Sequence, residues 1–183
     1  GHGYPFLLAA RMDFDSPELD FRVVNRGISG DILGDLRRRW QEDALDIEPD
    51  VLSVLIGINN VSKQQGLDTF EADYRHILDA SRKANPDLRI VLLDPFVLKT
   101  GHAGDESRWA HYVKETTRLR AIVAGLANDY DAVHIKTQEL FDRAAGTSSP
   151  ELWLWDGIHP TERGQELIAR HWLQAVSRRW PRN

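Results

Sequence analysis

One hundred and eighty-three residues suffice for one domain that buries about two-thirds of its unfolded surface. A formal charge of −5 leaves no basic footprint for nucleic acid, and no apolar run approaches the length of a membrane span. With no cysteine there is no disulfide framework, no thiolate nucleophile and no cysteine zinc site. That absence fits either side of a membrane; the cytoplasm is expected over secretion, with a signal peptide left open.

Taken in order, Tyr4 to Met12 reads as a short helix with Phe6, Leu7 and Ala10 on one face. A polar loop leads to Phe21–Asn25, which reads as a short buried strand. After the turn Arg26–Gly30, Ser29 or Asp31 can cap a helix that runs to about Asp46 with Ile32, Leu36, Trp40 and Leu45 as its stripe. Asp50 to Gly57 is nearly continuously apolar and β-branched, as in a parallel strand covered on both faces. Ile58–Val61 reads as a loop, and Asp68-Thr69-Phe70-Glu71 as a capping box opening a helix with Phe70, Tyr74, Ile77, Leu78 and Ser81 inward.

Arg89–Asp94 is the next strand, followed by a link containing Gly101 and Gly104. A long helix begins near Glu106 with Trp109, Val113, Leu119, Ile122, Val123 and Leu126 at helical spacing. Ala132–Lys136 is a strand, Gln138–Ala145 a helix, and the last helix turns Leu167, Ile168, Trp172 and Val176 inward. Strands alternate with helices throughout, so residues 1–183 are expected to form a single α/β domain with a parallel sheet and helices on both faces.

The chemistry collects in Trp155-Asp156-Gly157-Ile158-His159-Pro160-Thr161. Asp156 can accept the Nδ1 hydrogen of His159 across a single turn, fixing the tautomer and leaving Nε2 as a base. Pro160 biases His159 toward an extended conformation, on a loop rather than inside the helix. An Asp-x-x-His pair alone is common by chance. Its weight comes from two other loops expected at strand ends, where Gly27 offers a backbone N–H and Asn59 a side-chain amide, together able to form an oxyanion hole. Read singly, Gly27 is a tight turn and Asn59 a loop cap. Trp153 and Trp155 beside the pair could line an acyl pocket or stack on a sugar ring, or be core aromatics.

Asn25-Arg26-Gly27-Ile28-Ser29-Gly30, Ile56-Gly57-Ile58-Asn59-Asn60 and Trp155–Pro160 resemble the second, third and fifth sequence blocks of the SGNH (GDSL) hydrolases, in order and spacing, over essentially the whole chain. The chain most resembles the branch containing acetylxylan esterases and related carbohydrate acetylesterases, which shares the Asn-Arg-Gly-Ile-Ser-Gly run and a helical pattern matched by Arg39, Trp40, Glu42 and Asp43. The resemblance implies a flavodoxin-like three-layer α/β/α sandwich, a serine nucleophile, and ester hydrolysis with no metal or cofactor. It implies Gly27 and Asn59 as oxyanion donors, Asp156 as orienting carboxylate and His159 as general base, then acid. The expected substrate is a small acyl ester or acetylated carbohydrate, with no nucleic-acid or membrane partner; exposed aromatics hint at self-association into a homo-oligomer.

Two departures stand out. Asn60 replaces the aspartate usual in the third block, and the first block, Gly-Asp-Ser, is not in the chain. Asp15-Ser16 follows a helix and precedes Pro17, Ser29 reads as a cap and Ser53 as a strand residue, and no base is spaced to reach Ser62. The expectation is therefore a nucleophilic serine upstream of Gly1, on a strand between 21–25 and 50–57. Other readings are a lysophospholipase or thioesterase of the same superfamily, which would need an apolar trough, and a non-catalytic carbohydrate-binding relative. A metal site built from Asp156, His159 and His102 or His111 is disfavoured because both further histidines read as solvated.

Overall fold

The computed structural model describes residues 3–181. Three strands, β1 (Val51–Leu55), β2 (Arg89–Leu93) and β3 (Val133–Ile135), pair in parallel in the order β1-β2-β3. The register sets Leu55 beside Leu93 and Leu93 beside Ile135, so the strands' C-terminal ends finish level. β2 lies in the middle and is buried from Ile90 to Leu93. Its alternation sends Ile90 and Leu92 into one apolar layer and Val91 and Leu93 into the other.

The first layer is covered by α2 (Leu33–Arg38), α3 (Trp40–Asp43), α4 (Ile58–Lys63), α5 (Phe70–Ala84) and α6 (Glu106–Asp129). The second lies under α1 (Tyr4–Asp15), α7 (Thr137–Ala145) and α8 (Glu162–Arg179). The result is the expected α/β sandwich with helices on both faces. In α5 all of Phe70, Tyr74, Ile77, Leu78 and Ser81 are buried, as their spacing predicts.

Several local expectations change. Phe21–Asn25 is not a strand: it is no part of the β1-β2-β3 sheet, and Arg22 to Asn25 are exposed, with no described strand beside the outer edge of β1 to receive them. The helix expected from Ser29 or Asp31 to Asp46 is split into α2, α3 and a 3₁₀ turn over Leu45–Ile47. The chain tightens at Arg39, whose N–H reaches back only three residues to Leu36. Neither Ser29 nor Asp31 caps α2; Asp35 reaches back to the Ile32 N–H at 2.9 Å instead. In α1 the buried residue is Leu8 while Phe6 is exposed, since Leu8 is in the layer shared with α8. Val113 is exposed on α6. The Thr69 hydroxyl bonds the Asp73 carboxylate rather than a backbone N–H, so the capping box is replaced by a side-chain pair.

Candidate active site

Trp153 to Thr161 folds as a narrow hairpin-like loop entering α8. Leu154 and Pro160 bridge antiparallel, the Trp155 N–H reaches the His159 carbonyl at 3.1 Å, and the Thr161 N–H reaches the Trp153 carbonyl at 2.9 Å. Thr161 then caps α8 by accepting the Gly164 N–H. At the tip Gly157 has φ +95°; a Cβ there would stand 2.7 Å from Ala103 Cβ and from the carbonyl oxygens of Leu98 and Thr100. Glycine is required on both counts.

Within this loop one carboxylate makes three hydrogen bonds. Asp156 Oδ1 accepts the N–H groups of Ile158 at 3.1 Å and His159 at 2.8 Å, while Oδ2 accepts His159 Nδ1–H at 2.7 Å. Burial raises the Asp156 carboxyl pKa, but the hydrogen bonds from the His159 ring, from its N–H and from Ile158, with the charge of His159, outweigh it and hold the group below its ordinary value. The Asp156 side chain is 13% exposed and that of His159 is 55% exposed. The imidazole is thus oriented from beneath through Nδ1, and its Nε2 makes no hydrogen bond among the described residues. Trp155, exposed, stacks on it with ring centroids 5.6 Å apart. Trp153 turns the other way, into the layer under α8, with its N–H on Ser148 Oγ at 2.8 Å.

The segment after β2, which reads from sequence only as a link, is the seat of this loop. Leu98 N–H bonds the Gly157 carbonyl at 2.9 Å and Ala103 N–H the Asp156 carbonyl at 3.1 Å. Gly101 passes so close that a Cβ would lie 2.6 Å from Asp156 Cα. Buried Thr100 donates to Glu151, which Ser149 also serves; Ser149 first and Thr100 second push the Glu151 pKa down to about 2. The signal in the sequence was the pair Gly101 and Gly104, which marks close backbone approach but not what is approached.

Asn59 lies in the first turn of α4, not in a loop, because Gly57 at φ +118° turns the chain directly from β1 into the helix. Its amide nitrogen donates one hydrogen to the Asp31 carbonyl at 3.0 Å, leaving the second. Asn60, fully buried, accepts the Leu33 N–H at 3.2 Å and donates to the Gln65 carbonyl at 2.9 Å, a purely architectural set of bonds. Gly27 N–H is engaged by Asn25 Oδ1 at 2.9 Å. Gly30, at φ +87°, borders the residue that touches Asn59, and its N–H has no partner among the described residues. Gly27 is the glycine the sequence resemblance points to, and nothing in the run shows that Asn25 engages its N–H.

The remaining candidates are placed elsewhere. Ser16 is buried at the end of α1, and Ser53 Oγ accepts the Trp172 indole N–H at 3.0 Å inside the core. His111 donates to the Val61 carbonyl and His102 lies against Arg108. Among the described residues no group of three or more His, Cys, Asp or Glu is arranged to hold a metal ion. A second carboxylate–imidazole pair, Asp94 Oδ1 with His134 Nε2 at 2.7 Å, joins the ends of β2 and β3.

An α/β sandwich that presents a carboxylate-oriented histidine in the loop before its last helix has the base that ester hydrolysis requires, and the comparisons show the class to be that of the carboxylic ester hydrolases. The family model described as GDSL-like Lipase/Acylhydrolase matches residues 1–167, and the chain belongs to that family. It is 30% identical over 194 residues to an acetylxylan esterase of Geobacillus stearothermophilus, an alignment covering 100% of this chain and 84% of that protein. A multidomain esterase of Ruminococcus flavefaciens is 25% identical over 130 residues, which is 70% of this chain and 16% of that protein. Among solved structures, a GDSL-like lipase of Parabacteroides merdae superposes with a TM-score of 0.86 at 32% identity, covering 96% of this chain and 82% of that one. The Geobacillus esterase superposes with a TM-score of 0.81 at 30% identity, covering 95% and 80%. Structures of that esterase include catalytic variants in which a serine, an aspartate or a histidine is replaced by alanine, the last two residues three positions apart.

Proposed function

We propose that the protein is a serine acetylesterase that removes acetyl groups from xylan-type carbohydrates. The observation that carries this reading is the 2.7 Å contact between Asp156 and His159 Nδ1, on a half-exposed ring whose Nε2 has no partner among the described residues and which stacks on an exposed indole. Support for the substrate comes from the esterase relative that aligns with the whole chain.

The serine oxygen attacks the acetyl carbonyl carbon while His159 Nε2 takes its proton. The carbonyl π electrons move to oxygen, and the oxyanion is held by Asn59 and a backbone N–H of the 25–31 loop. Gly27 and Gly30 are the candidates; Gly30 is favoured because its N–H has no partner among the described residues, whereas that of Gly27 is held by Asn25, and because Gly30 precedes Asp31, whose carbonyl receives the Asn59 amide. Nε2–H then protonates the departing sugar oxygen. Water, deprotonated by the same nitrogen, attacks the acyl-serine carbonyl; the bond to the serine oxygen breaks, Nε2–H returns its proton to that oxygen, and acetate leaves. On this reading the nucleophile is the serine expected upstream of Gly1; among the described residues no serine hydroxyl is bonded to His159.

The test is a serine-directed phosphonate with peptide mapping on the natural full-length protein, beside a panel of acetyl, butyryl and octanoyl esters and acetylated xylo-oligosaccharides. A single adduct on a Gly-Asp-Ser serine, acetyl preference, and loss of nearly all activity in His159→Ala are expected. Retained activity in that variant sinks the mechanism, and octanoyl preference sinks the substrate class.

A further inference from the structure

The loop that presents Gly30 has little structure of its own. Residues 26–31 belong to no strand or helix, and their internal backbone bond is a single turn from Asp31 N–H to the Ile28 carbonyl at 3.3 Å. Lys63 donates to the Gly30 carbonyl from outside, but one exposed ammonium on a flexible stem does not fix the loop's path, so a donor there is well preorganised only when the loop's ends are fixed as well.

Arg39, at the junction of α2 and α3, touches both ends. One guanidinium nitrogen donates to the Arg26 carbonyl at 3.0 Å, where the loop begins; the other pairs with the Asp31 carboxylate, where it ends. Asp43 pairs with Arg39 from the next turn and lies 3.8 Å from Arg26 Nε, bracing the same end again. The Asp31 carbonyl receives the Asn59 amide, so an unbroken set of contacts links Arg39 through Asp31 to Asn59. The Arg39 side chain is only 22% exposed, and its buried Nε–H has no partner among the described residues. A partly buried charge with an unsatisfied donor is a poor way to stabilise a fold. What it does hold is the loop.

We propose that Arg39 is a positioning residue for ester hydrolysis: it clamps Arg26 and Asp31 so that the Gly30 N–H and the Asn59 amide converge on one oxyanion. This rests on the esterase reading above. The planar fork is essential to the role, because a lysine ammonium on a single stem does not span the Arg26 carbonyl and the Asp31 carboxylate with fixed geometry.

The test compares wild type, Arg39→Gln, Arg39→Lys and Asp31→Asn in the natural full-length protein, with Arg38→Gln as control; Arg38 is exposed and, among the described residues, pairs with Asp35 alone. Each is assayed for acetyl-ester kcat and KM, for affinity toward a short alkylboronic acid that forms a tetrahedral serine adduct, and for thermal unfolding. Arg39→Gln should lower kcat on the order of 10²-fold, the cost of a misplacement near 1 Å, with KM within about twofold. Boronate affinity should fall in parallel, and Arg39→Lys should restore only a small part of either. Should Arg39→Gln fail to fold, Asp31→Asn, which breaks one arm of the clamp, should still show a kcat and boronate loss. Unchanged kcat, or a fall in kcat with boronate affinity intact, overturns the clamp while an active, His159-dependent wild type leaves the esterase reading standing. A wild type inert toward every ester overturns both.

Discussion

Trp155 lies face to face with His159, their ring centroids 5.6 Å apart and their planes 16° from parallel. Two residues earlier, Trp153 is packed into the core with its indole N–H satisfied. Alternating neighbours on one short loop therefore face opposite ways, and their removal should have opposite consequences. Trp155→Ala uncovers the imidazole of an exposed pair and should change stability by no more than about 1 kcal/mol. It should lower kcat/KM for acetylated sugars more than for a nitrophenyl acetate. Trp153→Ala should cost about 2–3 kcal/mol of stability, less than the loss of a fully buried aromatic because the ring is half-buried. Urea unfolding and paired kinetics on the two variants separate these outcomes.

The Asp156 carboxyl predicts an acid limb. Its native pKa is held below the ordinary value by the His159 and Ile158 hydrogen bonds. A depressed carboxyl contributes stability that is present above its unfolded value of about 3.9 and is lost as pH falls through the native value. Asp156→Asn removes that contribution at every pH. The stability gap between wild type and Asp156→Asn should thus be full at pH 6 and close progressively below about pH 4. Glu151 titrates in the same region in both proteins and cancels from the difference. A gap that stayed constant from pH 6 to pH 3 would show that Asp156 holds no proton-linked bond.

Much of this is legible in the sequence alone. The alternation of apolar β-branched runs with amphipathic helices forces a parallel sheet, and Asp156, Pro160 and His159 carry a local geometry that three residues of sequence suffice to specify. What was not legible was non-local. Whether Phe21–Asn25 is a strand depends on a partner alongside it, and five apolar-rich residues carry no record of that partner. The choice between Gly27 and Gly30 depends on which amide Asn25 has already engaged. The seat beneath Asp156 comes from Leu98 to Gly104, more than fifty positions away, and a glycine reports only that something approaches.

That seat makes Gly157 intolerant of any side chain. Its φ of +95° disfavours an L-residue, and an added Cβ would stand 2.7 Å from two carbonyl oxygens and a methyl group. None of these is the end of a flexible chain. Gly157→Ala should therefore cost about 2–4 kcal/mol of stability. Because relief requires moving Asp156 off its seat, activity should fall further than the folded fraction does. Equilibrium unfolding measured beside specific activity checks this; a variant with wild-type kcat per folded molecule would show that the Asp–His pair moves independently of the seat.

Asn59 and Asn60 are adjacent and share a side-chain chemistry, but the fold gives them different work. Asn60 is fully buried, with its oxygen on Leu33 N–H and its nitrogen on the Gln65 carbonyl. Asn60→Ala strands both partners and should cost about 2–3 kcal/mol, since each unsatisfied buried group costs about 1–3 kcal/mol and partial relaxation recovers some of it. Asn59 is half-buried and spends one amide hydrogen on Asp31. Asn59→Ala should leave the unfolding midpoint nearly unmoved and lower kcat by ~10²–10³, the usual cost of one lost oxyanion donor, with a smaller change in KM. The decisive comparison is the two variants side by side in urea and in an acetyl-ester assay. If Asn59→Ala lost stability like Asn60→Ala and kept its kcat, Asn59 would be a second brace for the 30–33 segment, and the oxyanion would have to be held from the loop alone.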